Sequence, residues 1–170
     1  YLGVFLSLLF IGLGYLFGDL IIKYQSDNSL IVKHASDYFY VMLTGTFFMI
    51  MSIFFRSILS GEGDNLLPMK VLGMGTLINL ILDPPFIYYF QIKGAALATV
   101  ISQIIVFIIF TFMLIFKKKS YINIKPLNFQ FNSKILIEIL RLGIPASLSM
   151  LIMSIGLFIY NKILAMTSLP

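Results

Sequence analysis

Asn79 and Asp83 stand four residues apart in an otherwise apolar run, with Gly75 four residues before them. On a helix that spacing draws Gly75, Asn79 and Asp83 into one stripe, with Thr76 beside it. Thr99, at the end of Gly94-Ala95-Ala96-Leu97-Ala98-Thr99, offers a hydroxyl to the same patch. Carboxylate, amide and hydroxyl oxygens are ligands that hard cations take, and low-dielectric surroundings favour the protonated form of a carboxylate, which suits it to carry a proton. Pro84 and Pro85 follow at once. Lacking N–H groups, they deprive the carbonyls of Leu80 and Ile81 of helical partners, so a helix break is expected at Pro84 and Pro85 with two more oxygens near the patch. Broken helices at membrane depth are a recurring way to build transporter ion sites. A charge within hydrocarbon costs roughly 2.5–3.5 kcal/mol even on lenient insertion scales, so Asp83 needs a reason to be there. Two readings stand: a functional site, or an acid near the outer end of its span that caps the helix or meets water.

The elements that must position these residues are long and apolar. Of 170 residues, 59% are hydrophobic and only 11% charged, far from the ~25% of a soluble domain. Five stretches reach the ~20 residues that cross a bilayer core: Leu2–Ile22, Tyr38–Ser60, Leu67–Phe90, Gly94–Phe116, and Ile135–Met166 with a break or kink expected at Pro145. Continuous apolar runs exclude the alternating pattern of a β-barrel, so the fold class is all-α, a polytopic transmembrane helical bundle. Gly14 and Gly18 are spaced to let helix one approach a neighbour closely, and the small residues 94–98 suit a close pairing of helices three and four.

The net charge of +5 does not indicate nucleic-acid binding, because the charges sit between apolar blocks. There is no cysteine and one histidine, His34, so thiolate chemistry and Cys- or His-rich metal sites are excluded. No P-loop, GxGxxG, HExxH or hydrolase motif is present, and an enzyme is not expected. The chain starts and stops at apolar runs, which is the pattern expected of an internal piece of a longer membrane protein.

The links differ. Residues 23–37 form a polar stretch of mixed charge. Gly61-Glu62-Gly63-Asp64 is a tight helical hairpin in which Gly61 suits a helix end, Asp64 caps the next helix and Pro68 fits its first turn. The link at 91–93 is shorter still, and residues 117–134 open with three lysines and form a surface linker. Eight Lys and Arg residues fall on the side of the 61–66 and 117–134 links and four on the other, placing those two links in the cytoplasm. Arg56, near a cytoplasmic helix end, is expected to snorkel. Asp19 is expected to reach water, the Phe and Met residues of helix two to meet lipid for the most part, and Ser147, Ser149, Ser154 and Asn161 to bond neighbouring helices or face a cavity.

The order Arg56, Gly61-Glu62-Gly63-Asp64, Pro68-Met69, Gly75-Thr76, Asn79, Leu82-Asp83-Pro84, Gly94 to Thr99, Ser102-Gln103 and Leu142-Gly143-Ile144-Pro145 resembles the multidrug and toxic compound extrusion (MATE) transporters over nearly the whole chain. The resemblance implies a two-lobe, twelve-helix transporter. Residues 1–116 would supply four helices of the N-terminal lobe, 117–134 the cytoplasmic inter-lobe linker, and 135–170 the first helix of the C-terminal lobe. It implies a multi-pass protein of the cell membrane that expels drugs and toxic amphipathic or cationic compounds by sodium or proton antiport. In the prokaryotic branch the matching positions make Asn79, Asp83 and Thr99 a cation or proton site, with possible sodium at Asp83 and Asn79. An acid of helix one that completes that site would lie outside this chain. Another branch places a functional Glu eight residues after the helix-seven proline; Met153 stands there, which argues against a C-lobe cation site of that type. No cofactor is implied beyond the coupling ion. The partners implied are membrane lipid, a small-molecule substrate and the remaining half of the transporter. A lipid-linked saccharide flippase of related architecture and a non-transporting membrane scaffold are the alternatives.

Overall fold

The computed structural model describes residues 1–26, 28–116 and 132–167. Five helices follow one another: α1 (Leu2–Gln25), α2 (Ser29–Gly61), α3 (Leu66–Phe90), α4 (Ile92–Thr111) and α5 (Ser133–Thr167), with a π-helical turn, Phe112–Phe116, continuing α4. There is no strand among the described residues. All five helices are long and apolar enough to cross a membrane. The chain is thus an all-α, multi-pass membrane bundle. The expected linker 117–134 lies outside the described residues up to 131, and so does the chain end from 168.

Where the polar stretch 23–37 suggests a loop, α2 instead begins at Ser29. Asn28 caps it, its Oδ1 accepting from the N–H groups of Leu30 (3.0 Å) and Ile31 (3.5 Å). At ~1.5 Å per residue α2 is about 50 Å long, well beyond a ~30 Å hydrocarbon core, so its polar first turns extend past the membrane as helix. The hairpin after α2 forms as expected. Asp64 Oδ1 accepts from Leu66 and Leu67 N–H, at 3.1 and 3.0 Å. Gly63, at φ +88°, takes the left-handed turn, one position pair beyond Gly61, the last residue of α2.

Packing centres on α4, which lies between α2 and α3, while α1 covers another side of α2. Small residues set the distances. Leu43 fills the space beside Gly14, and Phe39 that beside Gly18, so the glycine pair does bring α1 against α2. Ala96 and Ala98 are fully buried. A Cβ at Gly94 would collide with the carbonyl of Phe86, and one at Gly75 with Val106, so α3 and α4 touch almost backbone to backbone. Toward the Gly61–Asp64 turn, Leu59, Val71, Val106, Phe110 and Leu114 make the buried apolar cluster. Phe47, Phe48 and Phe55 of α2 gather around Phe107 of α4 at centroid separations of 5.5–6.0 Å, so these rings pack between helices, where lipid contact was expected. In α5 no described side chain is buried. It touches α1 where Lys162 Nζ sits over the Tyr24 ring and Phe158 stacks on it.

The prolines do not break their helices. α3 runs through Pro84 and Pro85, and α5 through Pro145. The fixed proline φ is itself near the helical value, and each ring removes only one ladder bond, which the flanking turns tolerate. At ~100° per residue, Pro84 and Pro85 also point away from Asp83. They are exposed, as are Leu80 and Ile81. The side chains around the freed carbonyls therefore face outward, away from the polar stripe.

Candidate functional site

A one-residue corner holds the site. Gln91 joins α3 to α4 at φ +53°, a left-handed conformation rare for a residue with a side chain. With Gly94 pressed on the Phe86 carbonyl, the start of α4 lies directly along the end of α3. That geometry places Thr99 opposite Asn79.

The three sequence-selected residues meet. Asn79 Nδ2 donates to Asp83 Oδ1 at 3.3 Å within α3, and to Thr99 Oγ1 at 3.4 Å across to α4. Thr99 Oγ1 in turn donates to the Ala95 carbonyl at 2.9 Å, so the hydroxyl serves its own helix and the patch at once. All three side chains are half-buried. Thr76, beside the stripe, donates to the Leu72 carbonyl at 3.1 Å.

Asn79 and Thr99 also line one end of a cleft of about 290 Å³ between α2, α3 and α4. α2 contributes Met49, Ser52, Ile53 and Arg56; α3 adds Leu72, Gly75 and Thr76; α4 adds Ser102, Gln103 and Val106. This is near the lower bound of small-molecule pockets, mostly apolar with a few convergent polar groups. Arg56, expected to snorkel at a helix end, is exposed there and also lines the cleft, its one formally charged wall residue among the described residues. Two buried polar atoms of residues in the wall, Ser52 Oγ and Gln103 Oε1, have no hydrogen-bond partner among the described residues. The sequence reading leaves Ser52 unmentioned and gives Arg56 only a snorkelling role. Their spacing of four was the available signal, since it puts both on one face of α2.

The other candidates lie apart. Asp19 accepts a 2.8 Å hydrogen bond from Tyr40 Oη, joining α1 to α2. Lys93 pairs with Asp37 at 3.1 Å near the opposite ends of α4 and α2 from the cleft's Arg56 end. Ser147 and Ser154 bond carbonyls of their own helix. Among the described residues no three His, Cys, Asp or Glu side chains cluster as a metal site.

Fold and site together define a multi-pass helical membrane protein with an acid–amide–hydroxyl cluster between two of its helices. A family model described as MatE matches residues 1–84. The chain is 30% identical over 172 residues to a probable multidrug resistance protein NorM of Thermotoga maritima, and 29% identical over 154 residues to the probable multidrug resistance protein YpnP of Bacillus subtilis. These alignments cover 96% and 89% of this chain but 36% and 34% of the relatives, so it spans about a third of their length. Among solved structures, the inward-facing conformation of a multidrug resistance MATE family transporter of the MOP superfamily superposes with a TM-score of 0.88 at 32% identity, over 95% of this chain and 37% of that one. The chain belongs to the MATE family.

Proposed function

We propose that the full-length protein is a secondary active exporter of drug-like amphipathic compounds in the cell membrane, driven by sodium or proton antiport through Asp83. Residues 1–116 act as part of its N-terminal lobe, and α5 opens a second lobe. The observation that supports this reading is the Asn79 amide, hydrogen-bonded at once to the Asp83 carboxylate and the Thr99 hydroxyl.

The arrangement ties the charge state of Asp83 to the cleft. When Asp83 is ionised, the Asn79 N–H turns toward it. Protonation weakens that bond and leaves the amide free to serve the cleft. A sodium ion would instead take the Asp83 carboxylate, the Thr99 oxygen and the Asn79 oxygen, which requires the amide to turn over. Either load changes what Asn79 presents to the cleft, so ion and substrate favour different states of one residue. That differential preference is all that exchange requires.

The test is Asp83→Asn in the full-length protein, reconstituted in vesicles and followed by dye flux under an imposed sodium or pH gradient. Loss of gradient-driven flux with an unchanged unfolding midpoint is expected, and the gradient that drives the wild type names the ion. Normal efflux by the variant would discard the site, and a protein that moves no dye under either gradient would favour the scaffold reading. A saccharide flippase calls for a cavity lined by several cations; among the described residues this cleft has one.

A further inference from the structure

Lys162 of α5 is engaged at the end of another helix. Its Nζ donates to the Tyr24 carbonyl at 3.1 Å and lies 3.1 Å from the centroid of the Tyr24 ring. Because α1 ends at Gln25, that carbonyl is among the last four, which a helix leaves without partners of its own. A cation there also meets the negative end of the helix dipole. Carbonyl, dipole and ring thus converge on one ammonium. One turn earlier on the same face of α5, Phe158 stacks on the same ring at 5.9 Å and 2° between planes. No carboxylate pairs with Lys162 among the described residues.

This contact is built unlike the seam between α1 and α2. There Gly14 and Gly18 let the backbones approach, with Leu43 and Phe39 filling the space beside them. α5 meets α1 through the tips of long side chains. From Ile137 to Leu164, Phe158 and Lys162 alone are half-buried and every other residue is exposed. Tyr24 itself stays 58% exposed. A ring–cation contact in such a setting biases an equilibrium by about two- to thirtyfold, enough to favour closure and little enough to release. It sits at one end of both helices, beside the last residue of α1 and within the last ten residues of α5. α2 runs back from that end to the Gly61–Asp64 turn, so the distribution of Lys and Arg places the contact on the outer side.

We propose that Tyr24, Phe158 and Lys162 form a releasable outer clasp: Lys162 caps the C-terminus of α1 while the outer ends are together, and letting go of that cap is the step by which the outer side opens. An exporter must at some point admit its cargo to the outside, so a contact that closes the outer ends has to be one that can be broken. The inference rests on the export reading for the assignment of α1 and α5 to different lobes, but the separation of their ends can be measured without transport.

Nitroxide labels on the exposed neighbours Lys23 and Asn161 of the full-length protein, each attached through an introduced cysteine, report that separation by pulsed electron spin resonance. With Tyr24 and Lys162 intact, a near and a far population are expected, the near one dominant. Lys162→Met keeps the length of the side chain and removes its charge, and should lower the near-to-far ratio about fivefold; Tyr24→Leu should do the same. Tyr24→Phe keeps ring and carbonyl and should leave the ratio unchanged, while Lys162→Arg should keep most of it. The parent distribution needs neither disruptive variant, so a misfolded Tyr24→Leu protein does not block the test. A far population alone in the parent, or a ratio unmoved by both Lys162→Met and Tyr24→Leu in folded protein, would overturn the inference. In vesicles, a short thiol cross-linker joining Tyr24→Cys to Lys162→Cys should stop gradient-driven dye flux, and reductant should restore it. Flux that persists through a completed link would also overturn the clasp. A protein that moves no dye before linking, yet shows the shift in ratio, discards the export reading and leaves the clasp standing.

Discussion

The two ends of the cleft are finished differently. At one end Asn79, Asp83 and Thr99 are joined by hydrogen bonds that run from α3 to α4 and back into the α4 backbone. At the other, Ser52 Oγ and Gln103 Oε1 are buried with no bond made among the described residues. The first end contributes to holding two helices together; the second contributes nothing to the fold that an apolar side chain would not. Polar groups at membrane depth therefore fall into two kinds here, and stability measurements can separate them.

The largest effect is expected where the first end is anchored. Gly94→Ala drives a methyl into the backbone carbonyl of Phe86, which cannot rotate away as a side chain would. Overpacking of this kind costs about 1–3 kcal/mol, and the unfolding midpoint of the detergent-solubilised protein should fall accordingly. An unchanged midpoint would mean that the α3–α4 corner has slack. Asn79→Leu comes next. It removes both bonds and strips the half-buried Asp83 of its donor, for a loss of about 1–2 kcal/mol by the same measurement. Thr99→Val should cost less, about 0.6 kcal/mol, since one interhelical bond is lost and the Ala95 carbonyl keeps its helical partner. The exposed Lys93–Asp37 pair should matter less again, Asp37→Asn shifting stability by under ~1 kcal/mol and only at low salt. At the second end Ser52→Ala should leave the midpoint unchanged or raise it, because it deletes an unsatisfied hydroxyl. If Ser52→Ala and Asn79→Leu destabilise equally, the contrast between the two ends is wrong.

Much of the first end was legible in the sequence. An acid and an amide four residues apart within an apolar run can only form a stripe, and the small residues before Thr99 announce a close helix pair. The hairpin at 61–64 was legible because capping chemistry is local. The second end was not, for a physical reason. Between Tyr38 and Ser60 α2 is apolar on most sides, so hydropathy alone does not say which side meets α4, and Arg56 near a helix end has an ordinary explanation in snorkelling. Nor could the sequence say that Pro84 and Pro85 would sit within a continuous α3, because the same ring that removes a bond also holds a helical φ. The polar residues 29–37 suggested a loop because hydropathy records where the membrane ends, while Asn28 decides where the helix begins.

Gln91 carries one last consequence. A single residue between α3 and α4 leaves no spare chain for either helix to slide along the other. The pair is mechanically one stiff prong. On the proposed antiport reading, a load that arrives at Asp83 cannot be answered by separating Asn79 from Thr99 along the helix axis; the response must come from side-chain rotation or from the whole prong swinging against α2. The cleft lies along that seam, so its width would report the swing directly.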